Sequence, residues 1–137
     1  MKFNYPYTME SQEGGGYFVQ FLDLEEAFTE GETIEEAAFN AAEVLTGVLS
    51  HRLEKGDEVP VPSSAGDMPT ATPGASVQAA ILLREARGEK SLSDMARALE
   101  TSWAAAQRLE DPRHWPTLKQ LDRAAKLLGK RLVLALD

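Results

Sequence analysis

Between residues 33 and 56 the apolar positions recur in steps of three and four: Ile34, Ala37, Ala38, Ala41, Leu45, Val48, Leu49 and Leu53. That spacing predicts one amphipathic helix with a single stripe turned to a core. Its ends are punctuated. Thr33 and Glu36 stand at capping-box spacing, the hydroxyl taking the Glu36 N–H while the carboxylate reaches back. Gly56 supplies the stop. Ahead of the helix the period shortens. FNYPYTM is rich in aromatics and Thr and predicts a strand, which Pro6 restricts to an edge or a bulge. YFVQFLDL (17–24) predicts a second strand, its broken alternation pointing to burial on both faces. Gly14-Gly15-Gly16 predicts the turn between them. A short third strand is expected at Ala27–Thr29 and a closing one at Glu58–Val61. The sum is a small antiparallel sheet with one helix packed across it.

The pattern then breaks. DEVPVPSSAGDMPTATPGA (57–75) holds four of the seven prolines and no apolar period, which predicts a linker over 61–75 between domains at 1–60 and 76–137. Four short helical patterns follow. Val77, Ala80 and Ile81 lie between a Ser76 cap and a Gly88 stop. Leu92, Met95, Ala96 and Leu99 follow the Ser91–Asp94 cap. Ala106 and Leu109 follow Thr101 or Ser102. Leu118, Leu121, Ala125 and Leu128 follow a Thr117/Gln120 capping box, with Pro116 near the first turn and Gly129 at the end. RLVLAL (131–136) predicts a terminal strand too apolar to stay unpaired. Another copy of the chain is its simplest partner, so a homodimer or tetramer through this domain is expected. The expected class is α+β, a sheet-and-helix domain followed by a helical domain with a terminal strand.

Residues 91–112 have the layout of a helix-turn-helix. Ala96 is the small residue that lets two helices cross closely, and Leu99, Ala106 and Leu109 flank the turn on its inner side. The turn position often taken by glycine is Glu100. On the outer side of the second helix lie Ser102, Trp103, Ala104, Ala105 and Arg108. Arg108 is the candidate for a bidentate guanine contact, Ala104 and Ala105 for thymine methyls, and Ser102, Arg113 and Lys119 for phosphates. The plainer roles are a core position for Trp103 and a solvated charge for Arg108.

Charge sharpens the division. Residues 1–75 carry three Lys/Arg against fourteen Asp/Glu, a net of −11; residues 76–137 carry eleven against eight, a net of +3. The two halves are therefore expected to meet different partners. Cysteine is absent, which excludes disulfides and thiolate metal sites. No apolar run reaches the length of a membrane span, and MKFNYPYTMES lacks the apolar core of a signal peptide, so a cytoplasmic protein is expected. His51 and His114 have no ligand-like spacing, no serine has a partnered base, and no GK[ST] follows the triple glycine. Asp23, Glu25, Glu26 and Glu43 are conceivable magnesium ligands, against the plainer reading of a solvated acidic face. Neither an enzyme nor a cofactor or metal site is expected.

The stretch GGGYFVQFLDLEEAFTEGETIEEAAFNAAEVL resembles the HicB antitoxin domain. The shared pattern is a Gly-rich hairpin followed by Y-x-V-x-F-x-D-[LI]-x-x-A-x-T-x-G-x-[ST]-x-x-E-A. It is kept at Gly16, Tyr17, Val19, Phe21, Asp23, Leu24, Ala27, Thr29, Gly31, Thr33, Glu36 and Ala37. The second half, with AAKLLGKRLVLAL, is similar to the Cro/repressor-type domain carried by one branch of that family. The resemblance implies a degraded RNase H-like first domain that binds a basic HicA-type ribonuclease toxin, and a second domain that binds operator DNA and represses the shared operon. Glu25, Glu26, Glu30, Glu32 and Glu35 become candidates for toxin contact, since a ribonuclease surface is basic. A reading from another class is a transcription regulator whose first domain senses a small ligand.

Overall fold

The strands β1 (Tyr5–Ser11), β2 (Tyr17–Phe21) and β3 (Phe28–Gly31) are followed by helix α1 (Ile34–Lys55) and a two-residue β4 (Thr70–Ala71). Helices α2 (Ala75–Arg87), α3 (Leu92–Ala98), α4 (Trp103–Leu109) and α5 (Leu118–Leu127) complete the order. The computed structural model describes residues 3–137. Its contacts fall into two units that divide after Gly74. The chain is an α+β protein.

In unit 1 the sheet runs β3-β2-β1-β4 with every neighbouring pair antiparallel. Tyr7 pairs with Phe21, and Met9 with Val19, which in turn pairs with Thr29. Alternation sends Tyr5, Tyr7, Val19 and Phe21 to one face, where all four are buried. The Tyr7 and Phe21 rings meet there at 5.3 Å between centroids. Against β2, β3 and β4 lies α1, burying Ala37, Ala41, Leu45, Leu49 and Leu53 in strict steps of four. Ile34, expected in this stripe, is 55% exposed; it opens the helix one position off that row.

Geometry dictates glycine at two places. Gly14, Gly15 and Gly16 all have positive φ, and the Gln12 N–H donates to Gly16 O at 2.9 Å to close the hairpin. At Gly31 a Cβ would stand 2.4 Å from the Ala37 backbone nitrogen, so β3 and the first turn of α1 meet backbone to backbone. The Thr33 hydroxyl accepts the Glu36 N–H at 3.0 Å as expected, while the Glu36 carboxylate reaches one residue further back, to the Glu32 N–H at 3.2 Å.

The Pro-rich stretch differs from its expectation. No strand forms at Glu58–Val61. The segment runs back along unit 1 instead: Tyr5 Oη donates to Pro60 O at 2.7 Å, and the Tyr7 N–H to Pro69 O at 3.0 Å. Proline cannot donate to a ladder, so β4 forms at the Pro-free step between Pro69 and Pro73. Pro6, expected to mark an edge or a bulge, lies in an inner strand and uses its carbonyl, which accepts the Leu22 N–H at 3.1 Å.

Unit 2 packs Leu83, Met95, Ala96, Leu99, Ala106, Ala124 and Leu128 into one cluster. Ser91, Ser102 and Thr117 cap α3, α4 and α5, and the Thr117/Gln120 box is complete. Helix α2 begins at Ala75 rather than behind Ser76. Leu118, expected in the inner stripe of α5, is 62% exposed at its first position. The expected terminal strand is not formed in the single chain: residues 131–137 carry neither helix nor strand. A strand needs a neighbour to pair with, and every regular element of this unit is a helix.

Candidate functional site

The segment from α3 to α4 is built from its ends. At the close of α3 the Thr101 N–H donates to Ala96 O at 2.9 Å and the Glu100 N–H to Arg97 O at 3.1 Å. This is the Schellman pattern, and it puts the residue after the cap in the left-handed region. That residue is Glu100, with φ 53. It is the sole non-glycine with positive φ among the described residues. One residue after Thr101, the Ser102 hydroxyl accepts the Ala105 N–H at 3.1 Å and starts α4. The far end of α4 is tied to α2: Arg87 donates Nε to Glu110 Oε2 at 2.6 Å and Nη2 to Oε1 at 3.1 Å. Both partners are largely sheltered, with 21% and 11% of their side chains accessible. Two parallel charge-assisted bonds fix direction as well as distance, so α4 is held at both ends.

Trp103, Ala104 and Arg108 are exposed on α4, Ala105 is half-buried and Ala106 is buried. Trp103 is therefore not the core residue that its size allowed. The Ser102 hydroxyl is engaged by its cap. Lys119 and Arg113 are exposed, and Arg113 lies beside Asp111, 3.7 Å away. Gln107 was missed: it is exposed next to Arg108, three residues after Ala104. That helical spacing was the available signal, and a glutamine amide is suited to pair with adenine.

In unit 1, residues 3–51 contain ten Asp/Glu and no Lys or Arg. Glu25, Glu26, Glu30, Glu32 and Glu35 are all exposed but spread over the β2–β3 loop, β3 and the start of α1. Glu26 is already paired. Its carboxylate accepts Arg52 Nε at 2.7 Å and Nη2 at 2.9 Å, bonds that hold it below the usual carboxylate range and raise the guanidinium. Glu30 accepts Gln12 Nε2 at 3.1 Å. Asp23 accepts both the N–H and the hydroxyl of Ser63, which pins the Pro-rich segment. Among the described residues, no three acids or histidines are grouped so as to hold a metal ion. Gln20, another residue missed, aims Nε2 at the carbonyls of Phe21, Leu24, Glu25 and Ala27 and clamps the β2–β3 loop.

A family profile described as the HicB-like antitoxin of bacterial toxin-antitoxin systems matches residues 4–71. Antitoxin HicB of Escherichia coli K12 is 32% identical over 96% of this chain and 98% of its own length. Antitoxin HicB 1 of Photorhabdus laumondii is 30% identical over 97% of this chain and 86% of its own. The chain belongs to the HicB antitoxin family. Its HicB pattern now has a physical content. Val19, Phe21, Leu24, Ala27 and Ala37 are core, Gly31 permits the strand–helix contact, Asp23 anchors a loop, and Thr33 with Glu36 caps α1. Most of the HicB pattern therefore serves folding. No helix among the described residues is long and apolar enough to cross a membrane.

Proposed function

We propose that this chain neutralises a HicA-type, mRNA-cleaving toxin through unit 1 and represses its own operon through unit 2. It acts in the cytoplasm, as a binding protein rather than an enzyme. The observation that carries the reading is the separation of charge: ten acids and no Lys or Arg over residues 3–51, against a net of +3 beyond residue 75. An anionic module attracts the basic surface of a ribonuclease and repels nucleic acid. A basic module does the opposite. Membership of the HicB antitoxin family supports the toxin half.

For DNA, α3 and α4 act as a helix-turn-helix with α4 in the major groove. Arg108 and Gln107 read bases, Trp103 and Ala104 make apolar contacts, and Arg113 and Lys119 hold phosphates. Residues 131–136 pair with the same segment of a second copy. This joins two reading heads at a fixed spacing and gives the exposed Val133, Leu134 and Leu136 a partner.

The test is fluorescence anisotropy of DNA from upstream of the operon, titrated with the full chain at two salt concentrations. Saturable binding that beats scrambled DNA is expected. Arg108→Ala should weaken it about 30-fold, the middle of the roughly 1–3 kcal/mol range for one bidentate contact. Equal binding of scrambled DNA would remove the operator reading.

A further inference from the structure

One face of the unit 1 sheet is buried under α1, and within unit 1 the other face carries apolar side chains that the described residues leave exposed. The register defines that outer face. Glu10, Phe18 and Glu30 form one row across β1, β2 and β3, and Thr8, Gln20 and Phe28 form the next. Alternation sends these side chains away from buried Val19 and Phe21. Phe18 is 38% exposed and Phe28 54%, and their rings sit 6.2 Å apart between centroids. Leu22, just past β2, is also 54% exposed. Two phenylalanines side by side with this much of their surface open on a water-facing sheet cost solubility, so they point to a partner.

The chemistry of the rim selects that partner. Glu10 and Glu30 flank Phe18 directly, and no Lys or Arg occurs on β1, β2, β3 or their connecting loops. A second copy seated here would set Glu10 and Glu30 against themselves. A nucleic acid would meet the same carboxylates. A basic protein fits: its cations meet the rim, and its Lys and Arg stems or an apolar residue cover the rings. We propose that the outer sheet face is the toxin-binding surface, with Phe18 and Phe28 as its central anchors and Glu10 and Glu30 as its flanking anions. This rests on the reading of unit 1 as the toxin-binding unit and moves the contact away from Glu25, Glu26, Glu32 and Glu35. Among the earlier acidic candidates, Glu30 is the one that lies in the rows of this face.

The test uses the full chain and a purified HicA-type toxin whose catalytic histidine is replaced, with affinity read by calorimetry. Phe18→Ser with Phe28→Ser should lose about 30-fold or more, as central aromatic anchors do. Glu10→Lys with Glu30→Lys alters only exposed side chains. It should lose about 10-fold through slower, more salt-sensitive association. Glu43→Lys, exposed on α1, should stay within about threefold, as a rim charge away from a contact does. Circular dichroism checks each fold, and the charge variant decides if the phenylalanine variant does not fold. If the wild-type chain binds toxin and both sheet variants bind as well as it does, the sheet-face proposal falls while the antitoxin reading stands. If the wild-type chain binds no HicA-type toxin, the underlying reading falls and takes the proposal with it.

Discussion

Unit 1 buries Tyr5, Tyr7, Phe21, Leu24, Leu45 and Leu49, whereas three of the seven residues in the unit 2 cluster are alanine. Aromatic and leucine burial contributes roughly 1.5–3 kcal/mol per side chain. Alanine contributes far less, so unit 2 must draw on other sources. It draws on its helix ends: three Ser/Thr caps, Schellman turns after α3 and α5, and the Arg87–Glu110 pair. The difference is functional as well as energetic. A large core lets unit 1 leave two phenylalanines on its outer face. Small inner residues let the short helices of unit 2 approach closely, at the cost of making their ends decisive. Both tryptophans, Trp103 and Trp115, lie in unit 2, and all three tyrosines lie in unit 1. Indole fluorescence therefore follows unit 2, and the tyrosine part of the near-ultraviolet circular dichroism, once the indole contribution is subtracted, follows unit 1.

The largest effect is expected where unit 1 is tightest. In Gly31→Ala the new methyl would sit 2.4 Å from the Ala37 nitrogen, against backbone that cannot rotate away. Overpacking of this kind costs about 1–3 kcal/mol, and the top of that range applies because the obstacle is main chain. The tyrosine signal should lose its urea midpoint accordingly. A change below about 0.5 kcal/mol, the level of a neutral surface substitution, would show that β3 and α1 separate freely and that the core does not depend on their contact.

Gly31 also illustrates what was legible. The glycine stood in the HicB pattern, but its reason, a backbone-to-backbone contact, needs the helix in place. The first three strands, α1, its caps and the helical order of unit 2 were readable because each follows from local period and capping chemistry. The fate of residues 57–75 was not. Proline density reads as a linker, while the bonds that hold the segment join Pro60 to Tyr5, Ser63 to Asp23 and Thr70–Ala71 to β1, all across more than thirty positions. The acidic candidates suffered from the same limit. Composition showed which half is dense in acids, but cross-strand register was required to put Glu10 and Glu30 beside Phe18 and to find Glu26 already taken by Arg52.

A smaller and opposite effect is expected in unit 2. Glu100 occupies the left-handed position of the α3 Schellman turn at φ 53, which costs an L-residue about 1–2 kcal/mol. Glycine there removes that strain and gives back part of it through greater freedom when unfolded. The Glu100 carboxylate reaches Arg123 at 3.9 Å, but both side chains are well exposed, so that pair adds little. Glu100→Gly should therefore stabilise the tryptophan-reported transition by about 0.5–1 kcal/mol, as relief of a strained turn does. Destabilisation instead would mean that the glutamate holds the turn through its side chain, and that the ends of these helices are stabilised by charge rather than by conformation.

The smallest effect separates surface charge from core in unit 1. The Arg52 guanidinium holds the Glu26 carboxyl below its usual range, while Arg52 Nη1 also donates to Glu58 O at 2.9 Å and so ties the end of α1 to the Pro-rich segment. A depressed carboxylate binds its proton more tightly in the unfolded chain than in the folded one. Its stabilisation is therefore present above the unfolded pKa and is lost as pH falls through the folded one. Both side chains remain open to water, 26% for Arg52 and 47% for Glu26, so screening limits the pair to about 0.2–1 kcal/mol. Wild type and Glu26→Gln should thus differ by a few tenths of a kcal/mol at pH 7 and low salt in the tyrosine-reported transition. The difference should close as the carboxylate takes up its proton in acid, and should shrink in high salt. A gap that persisted in acid would locate the contribution of Glu26 in packing rather than in its charge. A gap of several kcal/mol at pH 7 would mean that unit 1, too, depends on what ties its ends together.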